Sequence, residues 1–493
     1  MNPLWTLLPP LAVIPFILFF GERRRNWREG SIVVAGMLLL WMNGEIYESV
    51  LAGAAPASGS IDMIGGLSLA LSAEPMGVMF ALLASFLWVV TTFYSVGYMR
   101  GHHEVNQTRF YVCFAIAIAS VMVAAYADNL LTLFVAYEVL TLSTFPLVTH
   151  AGNDKARMAG RTYLGILMGS SIGLLMPAMI WTWVATGSLT FTPGGLYAGT
   201  QINGWALGLM LTLFVFGIGK AAVMPLHRWL PAAMVAPTPV SALLHAVAVV
   251  KTGVFSLLKI ATYIVGVDTL AGATSVFATG GWLLWVAGFT ILAASLVAFS
   301  KDNLKARLAY STVSQLSYIV AAALLGTSIA VAGGALHIVM HGFAKITLFF
   351  CAGAIMVATH KTDVSQLDGI GRRMPLTMVA FLIGTLGIIG LPPASGMWSK
   401  LLIAQGTLDT GQLWLIAILM ISTLLNIAYL LPISIRAFFR PPPPAVVAGT
   451  TSQAISEAPL FCVWALSLTA LGTLLLFFFP GPLLELLALI QWR

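Results

Sequence analysis

The sequence predicts an all-α polytopic membrane protein with about fourteen transmembrane helices, and three observations carry that prediction. Apolar residues make up 59% of the 493 positions and charged residues only 8%, with a mean hydropathy of +0.94. No water-soluble domain has such a composition. The apolar residues gather into stretches of about 20, the length a helix needs to cross about 30 Å of hydrocarbon. Lysine and arginine are confined to every second loop, the pattern left by a chain threaded repeatedly through a bilayer.

The predicted spans lie at 4–20, 31–51, 75–98, 110–127, 130–149, 162–185, 205–226, 239–265, 275–299, 310–326, 330–358, 375–404, 412–438 and 460–479. The first has no basic region before it and no small-residue cleavage site after it, so it is expected to be retained and not removed as a signal peptide. The loops after spans 1, 3, 5, 7, 9, 11 and 13 hold Arg23, Arg24, Arg25, Arg28, Arg100, Arg109, Lys155, Arg157, Arg161, Arg228, Lys301, Lys305, Arg307, Lys361, Arg372, Arg373, Arg436 and Arg440. The opposite loops hold none, and only Arg493 lies at the far end. Basic loops stay in the cytoplasm, so both termini are expected on the outer side.

The net charge of +7 is spread thinly over those loops, which reads as topology and not as a nucleic-acid surface. Cys113, Cys351 and Cys462 each sit alone in an apolar span, as small buried hydrophobes do, and no zinc or iron–sulfur spacing exists. No Gly-rich phosphate loop and no Ser/His/Asp or paired-carboxylate set occurs in a water-facing segment. A nucleotide-driven pump or a soluble-site enzyme is thereby disfavoured, and no cofactor is expected. The run Pro441-Pro442-Pro443-Pro444 leading to Glu457 is expected to be a stiff connector to the last span.

Lys220, Lys251, Lys259, Lys345 and Lys400 remain once the loops and Arg493 are set aside, and all five fall within predicted spans. Glu138 in span 5 and His245, His337 and His341 are placed equally deep. An ionisable group at the bilayer centre costs roughly 2.5–3.5 kcal/mol on insertion scales, so each is expected to face the bundle interior and to serve a function. Lysine is informative because its proton affinity follows its surroundings, whereas arginine stays charged. A row of lysines can load and release protons.

His337, His341 and Lys345 recur every four residues and share one face of span 11. Lys251 and Lys259 lie eight apart on roughly one face of span 8, with His245 elsewhere around that helix. Lys259 sits near the outer end, where snorkelling to the interface competes with a relay role. Spans 7 and 12 are expected to be discontinuous: Pro225, Pro231, Pro237 and Pro239 follow Lys220, while Gly390, Pro392, Pro393 and Gly396 precede Lys400. Freed backbone groups at membrane depth survive only where protein or water satisfies them. Interrupted spans in corresponding positions of two halves point to a transport site between inverted repeats. Spans 4–8 and 9–13, five helices each, would form them. The expected divisions are an N-terminal segment at 1–109, repeats at 110–265 and 266–440, and a linker with the last helix at 441–493.

The stretch from Lys220 through Pro225, His227, Trp229 and Pro231, continuing Ala236-Pro237-Thr238-Pro239-Val240-Ser241 to His245 and Lys251-Thr252-Gly253, resembles the signature of antiporter-like membrane subunits. That family is shared by respiratory complex I, energy-converting hydrogenases and Mrp-type multisubunit Na+/H+ antiporters. The segment Leu308-Ala309-Tyr310-Ser311-Thr312-Val313-Ser314-Gln315 and the HxxxHxxxK pattern of span 11 are similar to it too, and agreement covers roughly 75–440. The resemblance implies a fourteen-helix fold with two inverted five-helix repeats and a hydrated polar axis at mid-membrane. It further implies a span 5 glutamate paired with a span 7 lysine, matching Glu138 and Lys220. Central positions map to Lys251, His245 and His341, and the span 12 position to Lys400.

Lys400 and the short chain beyond span 14 favour the D-type branch of the Mrp antiporters over the distal complex I subunit with its long lateral helix. The adjacent Lys-Arg pair common in that family is replaced here by Lys305-Ala306-Arg307. The implied partners are other membrane subunits of one antiporter complex, protons and a monovalent cation, Na+ or K+, in a bacterial plasma membrane. Competing with antiport is, from a different class, the proton-pumping arm of a redox enzyme driven by electron transfer in other subunits, and a third reading is a membrane scaffold with vestigial charges. The buried charges make the scaffold least economical.

Overall fold

A computed structural model describes residues 1–198, 200, 202–441 and 455–492. The prolines from Pro442 onward in the predicted connector and Arg493 lie outside the described residues. The chain is helical almost throughout. Eleven of the helices described are long and apolar enough to cross a membrane. In chain order the first six are α1 (Pro3–Phe20), α2 (Arg25–Leu51), α3 (Pro75–Gly101), α4 (Gln107–Ala125), α5 (Leu130–Val148) and α6 (Asp154–Thr186). A short apolar helix α7 (Gly204–Gly217) is followed by α8 (Thr238–Val265), α9 (Trp282–Ser300), α10 (Leu304–Leu324) and α11 (Ser328–Thr359). A second interrupted pair, α12 (Pro375–Ile389) and α13 (Gly396–Asp409), precedes α14 (Leu413–Phe439) and α15 (Leu460–Phe478). All fourteen predicted segments are therefore helical, and the two predicted to break do break.

Boundaries moved where polar residues start a helix. α10 begins six residues before its predicted limit because the Asn303 side chain accepts the Ala306 N–H (3.1 Å), so the first turn Leu304-Lys305-Ala306 is already helical. α9 begins seven residues after its predicted limit, where Gly280 at φ 147° separates it from the preceding turn.

Loops of like number meet on like faces. On the basic side the wholly buried Arg28 guanidinium donates to Gly21 O (3.1 Å) and Gln107 Oε1 (2.9 Å), joining the first and third loops. Arg436 grips Asp368 through Nε (2.7 Å) and Nη2 (3.2 Å), and Leu304 N–H donates to Thr362 O (2.9 Å). There the Glu457 carboxylate accepts the Leu376 N–H (2.7 Å) and the Thr377 hydroxyl (2.5 Å), so the segment before α15 caps the first turn of α12. On the opposite side Ser72 N–H donates to Tyr126 O (2.7 Å) and Thr192 N–H to Tyr263 O (3.1 Å).

Helix burial sets the axis. α8 is buried along all of its apolar eighteen-residue stretch and α11 along 94% of its own, against 33% for α2, α6, α14 and α15. Outer faces carry exposed apolar side chains such as Leu424 and Val184, suited to lipid. The ionisable residues of α8 and α11 therefore lie in the middle of the bundle.

Candidate functional site

The break after α7 is built from the backbone. Ile218 leaves the helical region, Ala222 is held at φ 54°, and only a tight 3₁₀ turn, closed by Ala222 N–H on Gly219 O (3.0 Å), spans Lys220. Neighbours satisfy what is freed: Trp229 Nε1 donates to Gly219 O (3.0 Å), and Lys220 N–H donates to the Tyr137 hydroxyl (3.0 Å). α8 packs against the break through Gly253, where any Cβ would fall 2.5 Å from the Lys220 carbonyl carbon. The resemblance-bearing motif is thus one unit, a broken helix and the glycine that lets the next helix touch it.

Lys220 points into the bundle and is wholly buried. Its ammonium donates to Tyr137 O (2.7 Å) and the Thr141 hydroxyl (2.5 Å) on α5 and lies over the Tyr137 ring. It makes no ion pair with Glu138, so the expected contact is absent in this conformation. Tyr137 and Thr141 share one α5 face, and Glu138 lies about 100° around the helix from Tyr137 and about 60° from Thr141. Both Glu138 carboxylate oxygens are shielded from solvent with no hydrogen-bond partner. Buried polar groups in that state hold water or await a partner.

The middle of the bundle joins α8 to α11. Lys251 Nζ lies 2.7 Å from His341 Nδ1, both residues buried. An ammonium donates across this contact to a neutral imidazole, and once the proton has crossed an imidazolium N–H donates back to the amine. The His341 and His337 rings are 5.5 Å apart between centroids, and each Nε2 lacks a partner. His337 Nδ1 then lies 2.8 Å from Ser399 Oγ on α13. The predicted stripe on α11 therefore runs between helices, with Lys345 at its other end donating to Leu308 O (3.1 Å).

His245 falls in a π turn, Leu243–Val247, closed by Ala248 N–H on Leu243 O (2.9 Å). Such turns recur at functional sites because they re-aim one side chain. Its ring packs on Phe349, 4.6 Å between centroids, and both ring nitrogens are buried without partners. Lys345, Lys305 and Lys251 are the cations around it.

The second break places Lys400. Gly390 adopts φ 86°, and a Cβ on Gly396 would meet Gly387 O at 1.9 Å, so two glycines make the return possible. Lys400 Nζ donates to Ile388 O (2.7 Å) and Ile389 O (3.1 Å), the open carbonyl end of α12, and faces the Tyr318 ring at 5.0 Å. A cation there also meets the negative end of the helix dipole.

From Lys251 the contacts run through His341 and His337 to Ser399, whose neighbour in the chain is Lys400. Lys220 and Glu138 lie at the other end, reached through the Gly253 contact. Three residues that contact this row carry no signal in the sequence: Tyr137, Thr141 and Tyr318. Gln315, the last residue of the Leu308–Gln315 motif, is buried with both amide atoms unpartnered. Lys259 does not snorkel. It is 1% exposed, donates to Ala127 O (2.6 Å) and pairs with Glu74 (3.1 Å), an acid that sequence spacing does not single out.

Comparison with known proteins matches residues 127–426 to the family described as NADH:quinone oxidoreductase/Mrp antiporter, transmembrane. NADH-quinone oxidoreductase subunit N of Desulforudis audaxviator is 31% identical over 369 residues, covering 74% of this chain and 72% of that protein. NADH-quinone oxidoreductase subunit L of Mycobacterium tuberculosis is 29% identical over 505 aligned positions, covering 97% and 75%. Among solved structures, a chain of the membrane-bound sulfane sulfur reductase, an archaeal respiratory membrane complex, superposes with a TM-score of 0.83 at 22% identity, over 99% of this chain and 96% of that one. A chain of the Mrp complex from Dietzia sp. DQ12-45-1b gives 0.83 at 21% identity with the same coverage. These relatives are subunits of multisubunit membrane complexes. With a match over more than half its length, spanning both broken helices and the lysine–histidine row between them, the chain belongs to the NADH:quinone oxidoreductase/Mrp antiporter transmembrane family.

Proposed function

We propose that this chain carries protons across the membrane as the D-type component of a multisubunit monovalent cation/proton antiporter of the Mrp class. The observation that carries the reading is the Lys251–His341 contact, a 2.7 Å bridge between two buried bases on α8 and α11. Protons pass along Glu138, Lys220, Lys251, His341, His337 and Lys400, with His245 and Lys345 flanking the centre. Water linking the unpartnered nitrogens of His245, His337 and His341 completes the path. Two five-helix units, 110–265 and 266–440, supply the two halves, each with its own broken helix and lysine. The surrounding complex contributes the cation path and lies in a bacterial plasma membrane with the basic loops inside.

The test is cation-driven dissipation of a pH gradient in everted vesicles holding the intact complex. Lys251→Ala is expected to assemble and to stop transport, and parental transport by that variant would overturn the reading. A second reading is favoured by the sequence relatives, which are NADH-quinone oxidoreductase subunits. In it the same relay is driven by electron transfer in neighbouring subunits. Purification of the intact complex separates the two: quinone- or iron–sulfur-bearing partners decide for the redox arm, and their absence with cation-dependent exchange decides for antiport.

A further inference from the structure

A second polar constellation lies away from the central row. A cavity of about 370 Å³ opens on the side opposite the basic loops, where the ends of α2, α4 and α8 and the start of α3 converge. At its floor Lys259 Nζ donates to Ala127 O (2.6 Å) and pairs with Glu74 Oε1 (3.1 Å). The Tyr263 hydroxyl donates to Glu74 Oε2, and Phe191 covers the ammonium at 4.7 Å from its ring centre. Asp128 lines the same cavity. Glu74 stands directly before Pro75 at the start of α3, and Tyr263 is delivered by the π turn Ala261–Val265 that ends α8.

This floor connects to the centre along one helix face. Thr252, Ser256 and Lys259 fall at i, i+4 and i+7 of α8, and Thr252 adjoins Lys251. Thr252 Oγ1 is wholly buried without a partner, which marks a polar point able to hold water. The eight residues from Lys251 to Lys259 rise about 12 Å. A purely structural ion pair would need neither the cavity beside it nor the polar stripe behind it.

We infer that Glu74, Lys259 and Tyr263 form the port through which protons pass between the central row and the aqueous phase opposite the basic loops, an assignment that rests on the relay proposed above. In the inward sense a cavity hydronium gives its proton to the Glu74 carboxylate and becomes water. Lys259 then passes a proton to water on the Thr252 side and becomes a neutral amine. The carboxyl proton of Glu74 moves to that amine and restores the ion pair, so one proton has crossed and both groups are unchanged. The reverse order carries a proton out. Tyr263 positions the carboxylate throughout.

Lys259→Arg separates the port from a structural pair, because arginine keeps the contact with Glu74 but does not give up a proton. In vesicles holding the intact complex at parental abundance, Lys259→Arg and Glu74→Gln are each expected to slow transport about tenfold or more. Parental transport by Lys259→Arg overturns the port, whatever Glu74→Gln does. Lys251→Ala run alongside keeps the two proposals apart: if it stops transport while Lys259→Arg does not, only the port fails. A second measurement is independent of folding at the ion pair. Ala54→Cys, at the exposed lip of the cavity, is made in a background where the half-buried Cys113 is serine. A bulky membrane-impermeant thiol reagent added on the cavity side is expected to block transport, and full labelling with an unchanged rate overturns the assignment.

Discussion

Replacing Lys400 by arginine tests whether the far end of the row must release a proton or only hold a charge. The arginine side chain keeps the charge and has donors for both carbonyls now bound, Ile388 O at 2.7 Å and Ile389 O at 3.1 Å. The open end of α12 stays capped, and assembly is expected at the parental level. In water a guanidinium gives up its proton roughly 2–3 pK units less readily than an ammonium. At about 1.4 kcal/mol per unit this adds about 3–4 kcal/mol to any cycle in which the group deprotonates, a slowing of about 10²- to 10³-fold. Lys400→Met provides the contrast, since it leaves two carbonyls without their donor and is expected to cost about 1–3 kcal/mol of stability as well. Lys400→Glu is expected to retain part of the activity, because a carboxyl can also load and release a proton and in its protonated form still gives one hydrogen bond to the same carbonyls. The assay is the initial rate of pH-gradient dissipation in everted vesicles on cation addition, normalised to abundance. Parental rates from the arginine variant would refute proton release at Lys400 and leave it the role of a fixed field.

Three further outcomes follow from the geometry. Glu138→Ala and Lys220→Ala are each expected to abolish transport without loss of assembly, and near-normal rates in assembled Lys220→Ala complexes would remove that end of the row. His341→Ala breaks the only link from Lys251 to α11 among the described contacts and is expected to lower the rate far more than Leu424→Ala on the lipid face, 65% exposed; equal effects would make the stripe packing. On the basic side, the hydrogen bond from Arg436 holds the Asp368 carboxyl below its ordinary value of 3.8. A depressed value means that the stabilisation is present above about pH 4 and is lost as pH falls through the folded-state value. Asp368→Asn is therefore expected to lower the melting point of the purified complex by an amount equivalent to about 0.5–1 kcal/mol at neutral pH, with the difference shrinking below pH 4; a difference independent of pH would refute the ionic account.

What the sequence disclosed follows from the range of the interactions involved. Pro225 and Pro392 act on their own helices, so both breaks were readable. His337, His341 and Lys345 share a face by spacing alone, and their common orientation was readable as well. Thr141 and Tyr137 hold Lys220 only because α5 meets a break 79 and 83 residues further on, and no local pattern announces that meeting. Lys259 stood in the sequence as a lysine near a helix end, where snorkelling is the ordinary outcome. Its burial depends on Glu74, whose place before Pro75 reads as a helix start. The Glu138–Lys220 match came from the resemblance alone: the two lie near enough to interact electrostatically, and in this structure Lys220 is held by Tyr137 and Thr141 without an ion pair to Glu138.

The half-helix α12 is clasped at both ends by charges outside it, Glu457 from 81 residues away on its first turn and Lys400 of the next half-helix on its last carbonyls. Its fifteen residues extend about 22 Å, so the clasp links the basic-side surface to mid-membrane through one rigid rod. When Lys400 loses its proton, the neutral amine keeps two N–H donors but no charge, so the hold on that end of the rod weakens while the hold at the other end does not. The carbonyls of Ile388 and Ile389 then accept from an amine instead of an ammonium, a weaker bond that makes the peptide backbone sensitive to the charge on this side chain. On the relay proposed above, with Lys400 as its last site, that sensitivity would be a mechanical signal of loading, available to any neighbour that touches the Glu457 end.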